Sequence, residues 1–151
     1  VIELNEYQEK SADVILEWFK SGERSVDINL LIGTGSMRIL LWVASKLVAL
    51  GETVVFMPRR TEICEQYRTA ISKSELPNVE VESIFYAYKN AREPAKGTVV
   101  IIPEAQARRN IVFEKAVDGY VERGARIIFA NITTVGDLPV IDSIKNTGTR
   151  G

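Results

Sequence analysis

The stretch Gly33-Thr34-Gly35-Ser36-Met37-Arg38-Ile39 holds the residue types and spacing best suited to chemistry. A strand-length apolar run, Val26 to Ile32, precedes it, and an apolar helical pattern from Ile39 to Leu50 follows. A Gly-rich turn in that setting offers backbone N–H groups and a helix N-terminus to an anion, above all to phosphate. A loop that handles a magnesium-bound triphosphate ends in Gly-Lys-Thr or Gly-Lys-Ser. Here those positions are Met37, Arg38 and Ile39. Met37 puts a side chain where the backbone should approach phosphate. Arg38 keeps a positive charge but as a larger planar fork. Ile39 has no hydroxyl for the metal. Taken alone, Gly33, Thr34, Gly35, Ser36 and Arg38 read equally well as a degenerate anion-binding loop and as an ordinary strand-to-helix turn.

Other chemistries are excluded by composition. The 151 residues include no histidine, which removes Ser-His and Cys-His catalysis and the commonest zinc ligand. Cys64 is the sole cysteine, so neither an internal disulfide nor a multi-cysteine metal site exists. It reads as a small half-buried helix residue rather than a nucleophile, because no histidine activates it. The formal net charge of −1 argues against a polybasic chain and leaves nucleic-acid contact to a local patch. No apolar run reaches the roughly 20 residues of a membrane span, and no signal-peptide pattern opens the sequence, so no membrane partner is expected. The expected setting is a reducing, cytoplasmic compartment, or the nucleus or an infected host cell for a eukaryotic or viral source. The first residue is Val1 rather than Met, as expected of a piece of a longer protein.

The elements that must position the loop follow from periodicity. Asn5 to Lys20 places Tyr7, Ile15, Leu16, Trp18 and Phe19 at helical spacing, with Asn5 as N-cap and Ser21-Gly22 as the stop. Gly51 caps the helix that follows the loop. Thr53 to Met57 reads as a buried strand closed by Pro58, and a helix runs from about Thr61 to Lys73. A third strand is expected over Val79 to Tyr86, and a polar loop from Lys89 to Gly97. Thr98 to Ile102 is a continuous apolar strand with Pro103 after it. Ile111 to Val121 is helical, ended by Gly124, and Ala125 to Ala130 is the last strand. With 46% apolar residues the chain suits one core, expected over 1–135, with 136–151 as a tail or linker. Strands alternating with helices predict a three-layer α/β/α sandwich with a mainly parallel sheet and ligands at the carboxyl ends of its strands. Trp18 and Trp42 are expected in the core, and Tyr7 in the core or on a stacking surface beside it.

Four segments, in order, give a resemblance. Leu4-Asn5-Glu6-Tyr7-Gln8 resembles the segment ahead of the phosphate loop in superfamily 2 helicases, whose glutamine reads the adenine edge. Val54 to Glu62, with Pro58-Arg59-Arg60-Thr61 after the strand, resembles motif Ia, which contacts nucleic-acid phosphates. Val99 to Gln106 resembles the Asp-Glu-Ala-His motif II. Ile127 to Thr134 resembles motif III and places Asn131 and Thr133 at its end. The chain is thus similar, over nearly its whole length, to the first RecA-like domain of a DEAD/DEAH-like helicase, which implies a P-loop NTPase fold.

Departures from that pattern govern the expected function. The resemblance implies an aspartate that holds magnesium where Pro103 stands; the next residue, Glu104, keeps the position of the catalytic carboxylate but is expected to be vestigial. A second alignment matches Ile101-Ile102-Pro103-Glu104 to motif Ib and moves motif II to Ala130-Asn131-Ile132-Thr133, with both acids lost. Under either alignment the metal-binding acid is missing, and phosphoryl transfer depends on that metal. Gln8, Gly33, Thr34, Gly35, Ser36 and Arg38 are therefore candidate nucleotide contacts of a degenerate site, with Gln8 set against the ordinary reading of an exposed helix residue. Arg59, Arg60 and Thr61 are candidate nucleic-acid contacts, against the ordinary reading of a solvated pair. Arg108 and Arg109 near a helix start hint at an anion or a partner, against the ordinary reading of solvated arginines. No metal site and no cofactor are expected. The expected role is a pseudo-helicase binding module for single-stranded or duplex nucleic acid, a second RecA-like domain or another protein, as in viral replication or the inactive half of a remodelling enzyme. One alternative is an ATP-binding fragment of a working helicase or translocase, with ATP and Mg2+ as cofactors. Another is a purely structural interaction domain.

Overall fold

In the computed structural model, residues 2–31, 33, 35–83, 98–105 and 111–133 are described, Thr133 by its backbone only. Helix α1 (Glu6–Ser21) opens on a reciprocal cap: the Gln8 N–H donates to Asn5 Oδ1 and the Asn5 N–H donates to Gln8 Oε1, each at 2.9 Å. Gly22 ends it at φ 83, donating to the Phe19 carbonyl. The Arg126 guanidinium then lies over the Trp18 and Phe19 rings, 4.8 and 4.0 Å from their centroids. It also donates to the Phe19 and Glu23 carbonyls at 2.7 and 3.0 Å, which locks the end of α1 to the sheet.

Five strands form one sheet: β1 (Ser25–Leu31), β2 (Thr53–Phe56), β3 (Val79–Val81), β4 (Thr98–Pro103) and β5 (Arg126–Thr133). Their order is β1-β5-β4-β2-β3 and every pairing is parallel. Helices α2 (Ser36–Ala49), α3 (Thr61–Lys73) and α4 (Ile111–Glu122) follow β1, β2 and β4. Steps from β1 to β2 and on to β3 run one way across the sheet, and the return from β4 to β5 runs the other. Right-handed crossovers then require α2 and α3 on one face and α4 on the opposite one. Burial agrees. Ile15, Leu40, Leu47 and Tyr67 pack with Val26, Ile28, Val54 and Ile101, whereas Phe113, Val117 and Tyr120 pack with Val100, Ile102, Ile127 and Phe129. β4 sits between two covered faces and is buried at all of its residues, as its unbroken apolar run demands. This is the three-layer α/β/α arrangement expected, consistent with a RecA-like sheet, and parallel throughout among the described strands.

Several boundaries differ from expectation. β3 stops at Val81 rather than Tyr86 because its neighbour β2 ends at Phe56, the register partner of Val81. Beyond that point Glu82 is buried and accepts from the Tyr120 hydroxyl at 3.1 Å. β5 runs on to Thr133 because β1 pairs with it as far as Leu31. α2 starts at Ser36, a turn earlier than the apolar pattern, and is capped by Leu50 with Gly51 next. Trp42 is only half-buried, with the Lys46 ammonium 5.0 Å from its ring centroid, whereas Cys64 is fully rather than half-buried. The expected loop over 89–97, Gln106, Arg108, Arg109 and the tail from Thr134 lie outside the described residues. No helix among the described residues is long and apolar enough to cross a membrane.

Candidate functional site

Two helix N-termini open at the carboxyl edge of the sheet. The first follows β1. Gly33 and Gly35 hold φ of 80 and 78, the left-handed region that glycine enters without steric cost. A Cβ at residue 35 would also stand 2.5 Å from Gln8 Nε2, so the absence of a side chain there lets the Gln8 carboxamide close against the turn. Gln8 is 7% exposed, and its carbonyl oxygen is held by the Asn5 N–H. The candidate adenine reader is thus a buried part of the α1 cap. Arg38 is exposed and donates to the Glu3 carbonyl at 3.2 Å. Ile39 is fully buried in the core shared by α1, α2 and β1. Nothing caps α2 by a side chain and no acid lies in its first turn, so its N–H groups are left to an anion or to water. Thr34 lies outside the described residues, and Ser36 is half-buried as the first residue of α2.

The second N-terminus stands where the chain reverses its direction across the sheet. β2 and β4 are neighbours, yet β2 leads to α3 on one face and β4 to α4 on the other. Such a switch point leaves a crevice between the two exits, the usual place for a ligand on an open parallel sheet. Arg60 is the N-cap of α3 and caps it with no side-chain bond. Its guanidinium crosses the crevice: Nη2 lies 3.4 and 3.3 Å from the two carboxylate oxygens of Glu104, and Nη1 lies 3.6 Å from Glu62. Glu104 itself sits at φ 53, and the next residue anchors the turn by donating from the Ala105 N–H to the Ala130 carbonyl. Beside it the Arg59 guanidinium lies 5.6 Å from the ring centroid of Phe113 on α4. Thr61 is exposed as the first residue of α3.

Two turns along α3 from Arg60, Tyr67 stacks on Phe56 at a centroid distance of 4.6 Å and is 2% exposed. Burial pushes its hydroxyl above the ordinary 10.0, and the nearby Glu104 charge adds to the rise. That hydroxyl has no hydrogen-bond partner among the described residues. Cys64, one turn earlier, is likewise raised from 9.0, chiefly by burial, which suits an inert structural thiol.

The motif III-like pair is less informative. Asn131 donates from Nδ2 to Asn29 Oδ1 at 3.2 Å, a cross-strand pair between register partners on the α4 face. The Thr133 side chain lies outside the described residues. Pro103 and Ala130 are register partners, so both alignments of motif II fall at the same point of the sheet edge. Neither side chain offers an oxygen. Among the described residues no group of three acidic, cysteine or histidine side chains could hold a metal.

The fold therefore gathers Arg59, Arg60, Thr61 and Glu104 at one crevice, and Gln8, Gly33, Gly35, Ser36 and Arg38 at another turn. Tyr67 and Phe113 were not singled out in the sequence. Their apolar helical spacing gives no sign that Phe113 lies under Arg59 or that Tyr67 feels the Glu104 charge, because both proximities need β2 and β4 side by side. No family model matches the chain, and none of the curated proteins matches its sequence.

Proposed function

We propose that the chain is a pseudo-helicase binding module: a RecA-like scaffold that engages nucleic-acid phosphates through Arg59, Arg60 and the α3 N-terminus and does not hydrolyse ATP. The observation that carries the second half is the burial of Ile39 and Pro103. Both stand where a magnesium-bound triphosphate would need side-chain oxygen, and both are committed to packing. An apolar side chain in the core cannot be traded for a metal ligand without opening a cavity, so the loss is built into the fold. Arg38 supports the same reading, since its guanidinium is turned to the Glu3 carbonyl.

For the first half, support comes from the crevice. Two arginines and an uncapped helix N-terminus face solvent at the switch point of the sheet, where phosphate contacts position a nucleic acid without reading its sequence. The contacts that occupy Arg60 are exposed ion pairs, its own side chain 58% and that of Glu104 38% accessible. Such pairs are worth about 0–1 kcal/mol, so a phosphate can displace them.

Thermal melting with and without millimolar Mg-ATP, together with phosphate release, tests the inactive pocket. No shift and no turnover are expected; divalent-dependent turnover abolished by Glu104→Gln would overturn the reading. Fluorescence anisotropy with a labelled single-stranded oligonucleotide over a salt series tests the crevice. Binding that falls steeply with salt, and that weakens in Arg59→Ala and Arg60→Ala, is the expected result.

A further inference from the structure

A cleft of about 470 Å³ lies apart from the β2–β4 crevice, between the start of α2 and the end of α3. Ile2, Met37, Leu41 and Ala70 supply most of its apolar wall, and Arg38 and Lys73 stand on its two sides. We propose that this cleft docks an acidic, apolar peptide segment of a protein partner. The size suits a few side chains, within the range of ligand-binding pockets generally.

Charge complementarity names the occupant. Among the described residues no carboxylate lines the cleft, and the two charged ones, Arg38 and Lys73, are both cations. Both are exposed, Arg38 reaches only the Glu3 carbonyl, and Lys73 makes no ion pair among the described residues. Gly35 also lines the cleft, so the uncapped α2 N-terminus adds partial positive charge on that side. An anion is therefore favoured at the rim and an apolar body on the wall.

The lining also decides against a nucleobase. Its described residues include no aromatic side chain, and bases are held on single strands chiefly by stacking on aromatic rings. Met37 is instead the kind of flexible, polarisable side chain that adapts to leucine-like side chains of a peptide. A segment with one or two leucine or isoleucine residues flanked by aspartate or glutamate satisfies both the wall and the rim.

The test is a titration of the isotope-labelled chain, followed by amide NMR, with a short peptide of alternating leucine and aspartate. The same peptide with lysine for aspartate and a short oligothymidylate serve as comparison probes. The acidic peptide is expected to shift the Leu41, Ala70 and Ser74 amides, and Lys73→Gln to weaken it about fivefold, as loss of one rim charge does. Ala70→Leu, which fills the cleft, should abolish those shifts, and the fold of each variant is read from the rest of the spectrum. Lys73→Gln leaves oligonucleotide affinity unchanged, while Arg60→Ala leaves the peptide unaffected, so this inference and the phosphate reading of the crevice fail separately. Absence of shifts at millimolar acidic peptide, equal binding of the lysine peptide, or shifts of these amides by the oligonucleotide would each overturn the proposal.

Discussion

The α2 and α3 N-termini occupy equivalent places in the fold and end in opposite conditions. Both follow parallel strands, both face the carboxyl edge of the sheet, and neither has a side-chain cap. At α2 the side chains have closed inward: Gln8 lies against Gly35 and Ile39 is sealed in the core. At α3 the side chains stay outside, and Arg60 is held by two exposed carboxylates. A helix N-terminus is thus only a potential phosphate site; how firmly its neighbours are committed decides how closely a phosphate can approach it. Burial commits by several kcal/mol, and a surface ion pair by a fraction of one.

Ile39→Ala should cost about 2–5 kcal/mol in chemical denaturation, because it empties a fully buried site. A cost under about 1 kcal/mol, the scale of an exposed ion pair, would mean that the α2 turn is no more committed than the α3 turn. Next comes Gly35→Ala, expected to lose about 1–2 kcal/mol from the left-handed backbone alone, with the clash against Gln8 added.

At the crevice the same measurements should give little. Arg60→Ala and Glu104→Gln are each expected to change stability by no more than about 1 kcal/mol. Their effects on oligonucleotide binding should differ in sign. Arg60→Ala weakens it, whereas Glu104→Gln strengthens it by releasing Arg60 and removing a charge that repels phosphate. Matching signs in the anisotropy titration would show that the Arg60–Glu104 pair acts as one unit in binding rather than as a competitor to it.

A weaker effect is expected at the buried Tyr67 and Cys64 of α3. Tyr67 and Cys64 both have raised values in the fold, so the stability they confer is fully present below their ordinary values of 10.0 and 9.0. It is lost as pH climbs above those values toward the folded ones. Melting temperature should therefore fall in alkali, and Tyr67→Phe should flatten the fall above pH 10.0. At neutral pH that substitution should be neutral or slightly stabilising, within about 1 kcal/mol, because an unpartnered buried hydroxyl has nothing to lose. A larger neutral-pH loss would reveal a partner for the hydroxyl.

Much of the architecture was legible in the sequence, for local reasons. The Asn5 N-cap, the unbroken apolar run of β4 and the glycines after α1 and α4 are each encoded within a few residues. So was the lack of a side-chain oxygen at Ile39 and Pro103, which holds in any fold. Element ends were less legible where a neighbouring strand set them, as at Val81 and Thr133. The committed or open state of each turn was not legible at all. Gln8 reads as an exposed helix residue until Gly35 is brought against it across the intervening strand, and Arg60 meets Glu104 only because β2 and β4 are adjacent. Composition and short-range pattern set which groups exist and which helices and strands form. The crossing of the chain from one face of the sheet to the other decided which of those groups meet, because contacts between residues far apart in sequence depend on strand order, and strand order follows from packing the whole sheet.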